Sequence, residues 1–321
     1  MFWGQPDSLP QQIGFHLVPR FSMMSFASAI EPLRSANRLA GKALYEWRIF
    51  AENTDPVPAS NGIAVVPERP LAAVERFPVL ILCSGTGSED FFDDRLFGQL
   101  RRIARNGAQM GGLSGAPLLL ARAGLLAGRR CTLHWEHIPG FVEEFPDIEV
   151  TDDLYEIDGP VFTCAGGSAS MDMMLHLITL QHGHDLAAAV SEQFIHDRIR
   201  EPTDRQRMAL RMRIGHSHPK LVAAIAYMED NLENPVSPPQ LARSVGLSSR
   251  QLERLFRKYM ECTPARYYLD LRLKRARALL RQTSLSVLDV AVACGFASAS
   301  HFSKRYRDLF GQSPRSDRNA A

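Results

Sequence analysis

The sequence of 321 residues predicts two domains of different class. The first is an α/β domain with a doubly wound, mainly parallel sheet, because short apolar runs alternate with helical segments over residues 1–200. The second is an all-α domain with two tandem helix-turn-helix motifs, because the C-terminal third repeats one alanine–glycine pattern. From residue 215 onward, 17 Lys and Arg accompany 9 Asp and Glu, a net charge of +8, against −6 before it. A basic C-terminal part after an acidic N-terminal part is typical of a nucleic-acid-binding domain joined to a domain that does not bind nucleic acid.

The N-terminal alternation is that of βαβ units. Residues 79–83 are wholly apolar and end in Ser84-Gly85-Thr86-Gly87, as expected of a buried parallel strand. Ligands of such sheets bind at the carboxyl ends of the strands. The pattern predicts strands at 13–18, 47–51, 63–66, 79–83, 131–135 and 161–164, and helices at 22–39, 89–105, 116–126, 138–145, 169–182 and 186–199.

Each C-terminal repeat places an alanine four positions before a glycine: Ala242 before Gly246, and Ala291 before Gly295. The alanine lets two helices cross closely, the glycine makes the turn, and a basic amphipathic helix follows. The second turn is predicted to be one residue longer than the first. We expect helices at 219–232, from 237, at 249–259, 264–281, 287–294 and 298–310, a sensing domain at 1–200, a linker at 201–218 and a DNA-binding domain at 219–321.

The two basic helices are the predicted DNA-reading elements. In each, an apolar pair four residues apart, Leu252 with Phe256 and Phe302 with Tyr306, fixes the helix to a core. Arg can bind guanine bidentately, Ser and His can bond base edges or phosphate, and Lys mainly neutralises phosphate. The predicted contacts to double-stranded DNA are Ser249, Arg250, Gln251 and Arg254 in the first helix and Ser298, Ser300, His301, Lys304 and Arg305 in the second.

A small-residue turn at 111–116 offers a catalytic alternative for the first domain. Such turns carry the nucleophile of α/β enzymes. Ser114 is the candidate nucleophile, His134 a possible base and Glu31 a possible third group. Alternatively, Ser114 would cap the following helix and His134 would be a structural strand residue. The residues alone leave both interpretations open.

Residues 219–316 resemble the AraC/XylS family of transcription regulators. The resemblance is densest over residues 291–314, which run from Ala-Val-Ala-Cys-Gly-Phe through His301-Phe302-Ser303-Lys304 to Phe310-Gly311-Gln312-Ser313-Pro314. It implies promoter repeats as the DNA target, RNA polymerase as a partner, a homodimer and, more often than not in this family, activation of transcription.

Residues 13–195 resemble the PfpI-like, flavodoxin-like fold related to class I glutamine amidotransferases, in the GlxA-type version fused to AraC-type domains. The resemblance rests on Glu31-Pro32-Leu33-Arg34, the turn at 112–116, the stretch 124–135 and Gly166-Gly167 with Asp172. Enzymes of this fold carry a Cys directly before the Ser/Thr-Gly step, where this chain has Leu113. Ser114 is then one residue from the strained position. The resemblance implies a sensor rather than an enzyme; the alternatives are a PfpI-like hydrolase or amidase with a DNA-binding tail, and a ligand-free architectural DNA binder.

The stretches 132–136, 162–167 and 191–200 resemble regulators of glycine betaine, carnitine and arginine catabolism, which implies a quaternary ammonium or amino acid effector. Helix starts at Gly115 and Ser168 would bind its carboxylate. Trp135, with Phe15 or Phe21, would face its cation, and Glu31 would pair with it. The predicted ligand-binding residues are Glu31, Gly85, Thr86, Leu113, Ser114, Gly115, His134, Trp135, Gly167 and Ser168.

Several classes of protein are disfavoured. The five cysteines are scattered and lack CxxC spacing, which predicts buried, reduced thiols rather than disulfides or a zinc site. No segment approaches about 20 uninterrupted apolar residues, and the N-terminus lacks a signal-peptide pattern. We therefore expect a cytoplasmic protein without a membrane partner, a metal or a cofactor.

Overall fold

A computed structural model describes residues 9–208, 210–216 and 218–319 and divides the chain into two compact units between Gln206 and Arg207. The predicted linker at 201–218 is shared between them, and its residues 209 and 217 lie outside the described ranges. The carbonyl of Pro202 accepts a hydrogen bond from the Leu154 N–H at 2.8 Å within the first unit. Arg213 pairs with Glu229 at 2.8 Å within the second. Residues 201–206 therefore belong to the first unit, and Arg213 belongs to the second.

The N-terminal unit contains the strands β1 (Gln11–Leu17), β2 (Tyr45–Ala51), β3 (Val57–Pro58), β4 (Ala64–Val65), β5 (Arg69–Pro70), β6 (Val79–Cys83), β7 (Gln109–Leu113), β8 (Arg130–Thr132), β9 (Glu149–Thr151), β10 (Tyr155–Asp158) and β11 (Val161–Cys164). Seven of them form one sheet in the order β10-β11-β7-β6-β1-β2-β5. All neighbours in it are parallel except β10 and β11. The mainly parallel sheet is confirmed.

Helices cover both faces of this sheet: α1 (Met23–Ala40), α2 (Asp94–Arg105), α3 (Ala116–Arg122), α4 (Ile138–Glu144), α5 (Ala169–His182) and α6 (His184–Gln193). Alternate residues of β6 separate the two cores. Ile81 packs with α1, α5 and α6 on one face, and Leu80 and Leu82 pack with α2 and α3 on the other. The predicted doubly wound α/β class is therefore confirmed.

Several predicted elements differ in length. The helix expected at 89–105 begins at Asp94, because the Asp93 carboxylate caps it by accepting hydrogen bonds from the N–H groups of Arg95 and Leu96 at 2.9 and 3.1 Å. The helix expected at 186–199 ends at Gln193. The strand expected at 63–66 is the two-residue β4, and β8 ends at Thr132 rather than at residue 135.

The C-terminal unit is helical: α7 (Leu210–Arg213), α8 (Pro219–Asp230), α9 (Pro238–Ser244), α10 (Ser249–Met260), α11 (Pro264–Gln282), α12 (Val287–Ala293), α13 (Ala299–Phe310) and α14 (Pro314–Asn319). The pairs α9–α10 and α12–α13 are the two helix-turn-helix motifs. Gly246 and Gly295 make their turns with φ of +66° and +72°. The second turn is one residue longer, as predicted, since α10 is capped by Ser248 and α13 by Ser298.

Two buried histidines predict a loss of stability in acid. Burial lowers the pKa of His16 and of His137 from the ordinary 6.5 to about 4. The unfolded chain therefore binds protons at a higher pH than the folded unit does, so the stabilisation is complete above pH 6.5 and is lost as the pH falls towards 4. We expect each histidine to account for at most about 3 kcal/mol of that loss.

Urea unfolding followed by tryptophan fluorescence tests this prediction, because all three tryptophans precede residue 206. His137→Gln should flatten the decline between pH 6.5 and 4, whereas His184→Gln, at an exposed histidine, should leave it unchanged. A free energy of unfolding that stays constant across this window would contradict the assignment.

Candidate effector pocket and nucleic-acid interface

The turn between β7 and α3 holds Ser114 in a left-handed conformation, with φ of +62°. Its N–H donates to the Cys164 carbonyl at 2.9 Å, and its carbonyl accepts from the His134 N–H at 3.1 Å. A non-glycine residue in this region is strained, and such strain is concentrated at functional sites. The expectation that Leu113 occupies the strained position is wrong. Leu113 is fully buried in the core, so its side chain cannot line a ligand site.

Glycines pack around Ser114 so closely that no side chain would fit. A Cβ atom on Gly166, whose φ is +86°, would lie 2.7 Å from both the Ser114 Cβ and the Ser25 Oγ. A Cβ atom on Gly115 would overlap Ser88, and one on Gly85 would lie 2.8 Å from the Ser22 nitrogen. Main chain therefore forms much of the wall of this site.

Serine hydroxyls complete that wall. Ser25 Oγ accepts from the Gly167 N–H at 2.7 Å and donates to Ser22 Oγ at 2.9 Å. Ser88 Oγ donates to the Gly85 carbonyl at 2.6 Å and lies 2.6 Å from Ser84 Oγ. These contacts join loops that follow the carboxyl ends of four neighbouring strands, β1, β6, β7 and β11, which is where ligands of open α/β sheets bind. We name the site the serine–glycine cluster: Ser25, Gly85, Ser88, Ser114, Gly115, Gly166 and Gly167.

The sequence predicted Gly85, Ser114, Gly115 and Gly167 as ligand contacts and placed Gly166 in the same loop, but it missed Ser25 and Ser88. Ser25 lies in the first turn of α1 and Ser88 in a short 3₁₀ helix after β6. Each is an ordinary cap or turn serine by its local pattern. Only the pairing of distant loops gives these two residues a shared role.

Four polar or aromatic side chains lie beside the cluster. Burial lowers the pKa of His134, and its ring lies 5.6 Å from that of Trp135, which is 38% exposed. Next to Ser88, burial raises the pKa of Glu89, and the Glu89 carboxylate lies 3.7 Å from Nδ1 of His137. Neither of those two atoms has a hydrogen-bond partner among the described residues. Buried polar groups of this kind usually acquire a partner from water or a ligand.

Other predicted ligand contacts are not brought to this site. The Glu31 carboxylate is half-exposed and accepts two hydrogen bonds from Arg34, at 2.6 and 2.8 Å. Phe15 and Phe21 are completely buried and pack edge-on against Phe26, so neither can face a cation. Thr86 lies in the predicted loop but is exposed. The expected acidic–aromatic patch around Glu31 is therefore wrong.

A buried carboxylate connects the site to the end of the N-terminal unit. Asp172 in α5 is fully buried and accepts from the Arg200 guanidinium at 2.6 and 2.9 Å and from the Arg200 N–H at 2.8 Å, while Nε2 of His196 lies 2.9 Å away. Arg200 also donates to Oγ of Ser168, the residue after Gly167, at 2.8 Å. The sequence predicts Ser168 as a ligand contact, but its hydroxyl oxygen already accepts a hydrogen bond from Arg200.

Gln206, the last residue of the N-terminal unit, is attached to that unit by a second set of hydrogen bonds. Its amide donates to Thr132 Oγ1 at 2.9 Å and to the carbonyls of Leu133 and Asp153 at 3.0 Å each. Leu133 immediately precedes His134. The segment that leads into the second unit, residues 196–206, is therefore attached on both sides of the serine–glycine cluster.

The helices α10 and α13 present matching surfaces. Residues 251–260 and 301–310 have the same sequence of buried, half-buried and exposed positions, at an offset of 50 residues. Leu252 and Phe256 are buried in one core, and Phe302 and Tyr306 in the other. This offset defines an exposed row on each helix: Arg250, Gln251, Arg254 and Arg257 on α10, and Ser300, His301, Lys304 and Arg307 on α13.

In α10 the four predicted DNA contacts are all exposed, but Gln251 has a structural role as well. Its Oε1 accepts from the N–H of Ser248 at 2.8 Å in a capping box. Arg257, which the sequence pattern did not single out, extends the row and pairs with Glu253 at 2.9 Å. Ser249 opens the helix and is exposed.

In α13 the predicted DNA contacts differ in exposure and in role. Ser300, His301 and Lys304 are exposed, and Ser298 is the cap, its Oγ accepting from the His301 N–H at 3.4 Å. Arg305 occupies the half-buried position that Leu255 takes in α10, and donates to Nε2 of His301 at 3.3 Å. Arg305 therefore does not lie on the exposed row. The residue of α13 that corresponds to Arg257 at the 50-residue offset is Arg307, which is exposed.

Three further observations concern metals, membranes and cysteines. Across residues 9–208, 210–216 and 218–319, no group of three or more His, Cys, Asp or Glu side chains is arranged to hold a metal ion. Within the same ranges, no helix combines the length and the apolar character needed to cross a bilayer. The cysteines are free; four are buried and Cys262 is half-buried.

Comparisons with known proteins assign each unit to a family. A helix-turn-helix domain family matches residues 241–320, and the DJ-1/PfpI family matches residues 17–180. The HTH-type transcriptional regulator GbdR of Pseudomonas aeruginosa is 46% identical over 96% of this chain and 84% of its own length. The regulator CdhR of the same species is 47% identical over 97% of this chain and 92% of its own. An AraC family transcriptional regulator from Pseudomonas putida, solved by crystallography, is 28% identical over 58% of this chain and its entire length, with a TM-score of 0.52.

Proposed function

Since the chain belongs to the DNA-binding transcriptional regulators that join a DJ-1/PfpI domain to an AraC-type helix-turn-helix domain, we propose that it is an activator controlled by a small zwitterionic metabolite. Glycine betaine, carnitine or an amino acid would bind the N-terminal unit. The C-terminal unit would bind promoter repeats through α10 and α13. A homodimer and contact with RNA polymerase complete the proposal, on the strength of the resemblance to AraC-type activators.

The serine–glycine cluster carries the proposal for the effector. The hydroxyl of Ser114 provides a donor for a carboxylate without the charge that would also attract larger anions, whereas the hydroxyl hydrogens of Ser25 and Ser88 are engaged by Ser22 and Gly85. On the Ser88 side, Glu89 and His137 are partly buried, and Oε2 of Glu89 and Nδ1 of His137 are buried atoms without hydrogen-bond partners among the described residues. A cationic group of the ligand would supply the partner that Glu89 lacks. Glu89 thus takes the role that the sequence suggested for Glu31.

The attachment of residues 196–206 supports a route from effector to DNA binding. Arg200 bonds to Ser168, next to Gly167, and Gln206 bonds to Leu133, next to His134. An effector that displaces either neighbour would change how the last residues of the unit are held. It shifts the equilibrium only if it binds the active arrangement more tightly, and a preference of about 100-fold would supply about 2.7 kcal/mol.

Calorimetric titration of the full chain with glycine betaine, dimethylglycine, carnitine, choline and arginine tests the effector site. We expect one carboxylate-bearing ligand to bind saturably, and Gly166→Ala to abolish that binding because its Cβ would enter the site. Choline, which lacks the carboxylate, should bind at least about tenfold more weakly. Glu31→Ala and Ser60→Ala, at side chains outside the cluster, are the matched controls and should bind normally. Absence of saturable binding across the panel would refute a zwitterionic effector of this class and leave the DNA-binding assignment unaffected.

A second variant tests whether residues 196–206 transmit effector binding to the DNA-binding unit. Arg200→Lys keeps a positive charge near Asp172 but loses the planar, multidentate geometry of the guanidinium. We expect this variant to retain effector binding and to lose most of the effector's influence on DNA affinity, measured by fluorescence anisotropy. An unchanged response would show that the segment 196–206 does not transmit the signal.

The enzyme alternative keeps one specific observation in its favour, since the strained position carries the Ser114 hydroxyl rather than a leucine. A PfpI-like hydrolase or amidase would use this hydroxyl as nucleophile and His134 as base. Steady turnover of an amide or ester panel, lost in Ser114→Ala, would establish it. Equal background rates in wild type and Ser114→Ala would exclude catalysis through Ser114.

A further inference from the structure

A cavity of about 430 Å³ opens at the carboxyl ends of β1 and β2 and shares no lining residue with the serine–glycine cluster. Its apolar surface includes Leu17, Phe91 and Leu96. The cavity is far larger than the roughly 30 Å³ that one water molecule occupies in the liquid. Its volume falls within the usual range of small-molecule sites, about 300–1,000 Å³.

His16 is a buried polar side chain that lines this cavity. This side chain is only 3% exposed, and its Nδ1 has no hydrogen-bond partner among the described residues. Burial lowers the pKa of His16 to about 4, and the nearby Asp93 opposes this effect without overcoming it. His16 is therefore neutral at physiological pH and can offer Nδ1 as an acceptor.

The charged side chains that line the cavity are mostly acidic. Glu52, Asp55 and Asp93 contribute three carboxylates, against the single guanidinium of Arg95. One oxygen of Asp93 is engaged by the first turn of α2, which leaves the other available. An anion would meet this excess of negative charge, whereas a cation would be attracted by it.

We propose that this cavity binds a small organic ammonium ion with an apolar chain. The ammonium N–H donates to Nδ1 of His16, and its charge lies among the carboxylates of Glu52, Asp55 and Asp93. The chain packs against Leu17, Phe91 and Leu96. A quaternary ammonium group has no N–H to donate and would fit this cavity less well than a primary amine.

Titration of the full chain with n-butylammonium chloride tests the proposal, followed by calorimetry and by the imidazole ¹⁵N shifts of His16. We expect saturable binding with a shift of the His16 signal, and at least about tenfold weaker binding of butyrate and of tetramethylammonium. Gly166→Ala, which alters the serine–glycine cluster, should bind butylammonium like the wild type. Loss of binding in Gly166→Ala would place the ligand in the serine–glycine cluster and overturn the proposal.

Variants of the cavity provide the second test. Asp55→Asn and Glu52→Gln should each weaken butylammonium binding by about tenfold without affecting folding, because each removes a carboxylate charge that attracts the ammonium ion at a surface-accessible position. Asp147→Asn, at an exposed carboxylate outside the cavity, is the matched control. If both cavity variants bind like the control, or if butyrate competes as well as butylammonium, the ammonium site is refuted.

Discussion

Replacing Asp172 by alanine is expected to destabilise the N-terminal unit by about 3–5 kcal/mol. The carboxylate is fully buried and satisfies the Arg200 side chain, the Arg200 N–H and the His196 ring at once. Removing it leaves partly buried donors without their acceptor, and desolvated donors are costly. The segment 196–206 should also detach, so the variant would lose the effector's control of DNA binding together with stability.

Urea unfolding monitored by tryptophan fluorescence measures this effect in the intact chain. Glu46→Ala is the control: Glu46 pairs with Arg48 at 2.6 Å, but both side chains are well exposed. Exposed pairs of this kind contribute about 0–1 kcal/mol. If Asp172→Ala and Glu46→Ala unfold at similar urea concentrations, the buried network does not hold the unit together.

The double variant Arg254→Ala/Lys304→Ala should lose about 2–6 kcal/mol of specific DNA affinity, because a typical reading contact contributes about 1–3 kcal/mol. These residues occupy equivalent positions on α10 and α13 and are both exposed. An Arg that binds guanine bidentately would relax sequence preference when removed. A Lys that binds phosphate would instead reduce the salt dependence when removed, by a slope of about 0.9 for each phosphate that is no longer neutralised.

Fluorescence anisotropy on a duplex selected by the wild-type protein from a random library measures both effects. The control removes the same charge from the other unit, with Lys42→Ala/Arg105→Ala at two exposed positions. The single variant Arg305→Ala should weaken DNA binding less than the single variant Arg307→Ala, since Arg305 lies off the exposed row. Equal affinities for the double variant and its control would show that α10 and α13 do not read DNA.

The DNA-binding unit is easier to predict than the α/β unit, because each of its sequence patterns lies within a few consecutive residues. Ala242 and Gly246 define a helix crossing and a turn within five residues, and Leu252 and Phe256 define a buried face within one turn of helix. The sequence pattern does not separate Arg305 from Lys304, since both lie between Phe302 and Tyr306, but adjacent residues on a helix point about 100° apart and only Lys304 lies on the exposed row.

The site of the α/β unit was harder because it is made by pairing loops that are distant in sequence. The alternation of strands and helices predicted the sheet and the edge at which ligands bind. It could not show that Ser25 reaches Gly167, a separation of 142 residues, or that Glu31, two turns later on the same helix, faces Arg34 at the surface. The conformation at Ser114 likewise depends on its hydrogen bonds to Cys164 and His134, which no local pattern encodes.

The packing around Gly295 has a consequence for the architecture of the operator. A Cβ there would lie 2.6 Å from the carbonyl of Glu233 and 2.5 Å from the ring of Pro235, so the turn of the second motif rests against the loop before the first. Arg272 in α11 adds hydrogen bonds to the carbonyls of Cys294 and Gly295, at 2.7 Å each. The distance between the two reading helices is thus fixed within one chain. If α10 and α13 read adjacent sub-sites as proposed, inserting a single base pair between these sub-sites rotates one against the other by about a tenth of a helical turn, and we expect the DNA affinity to fall.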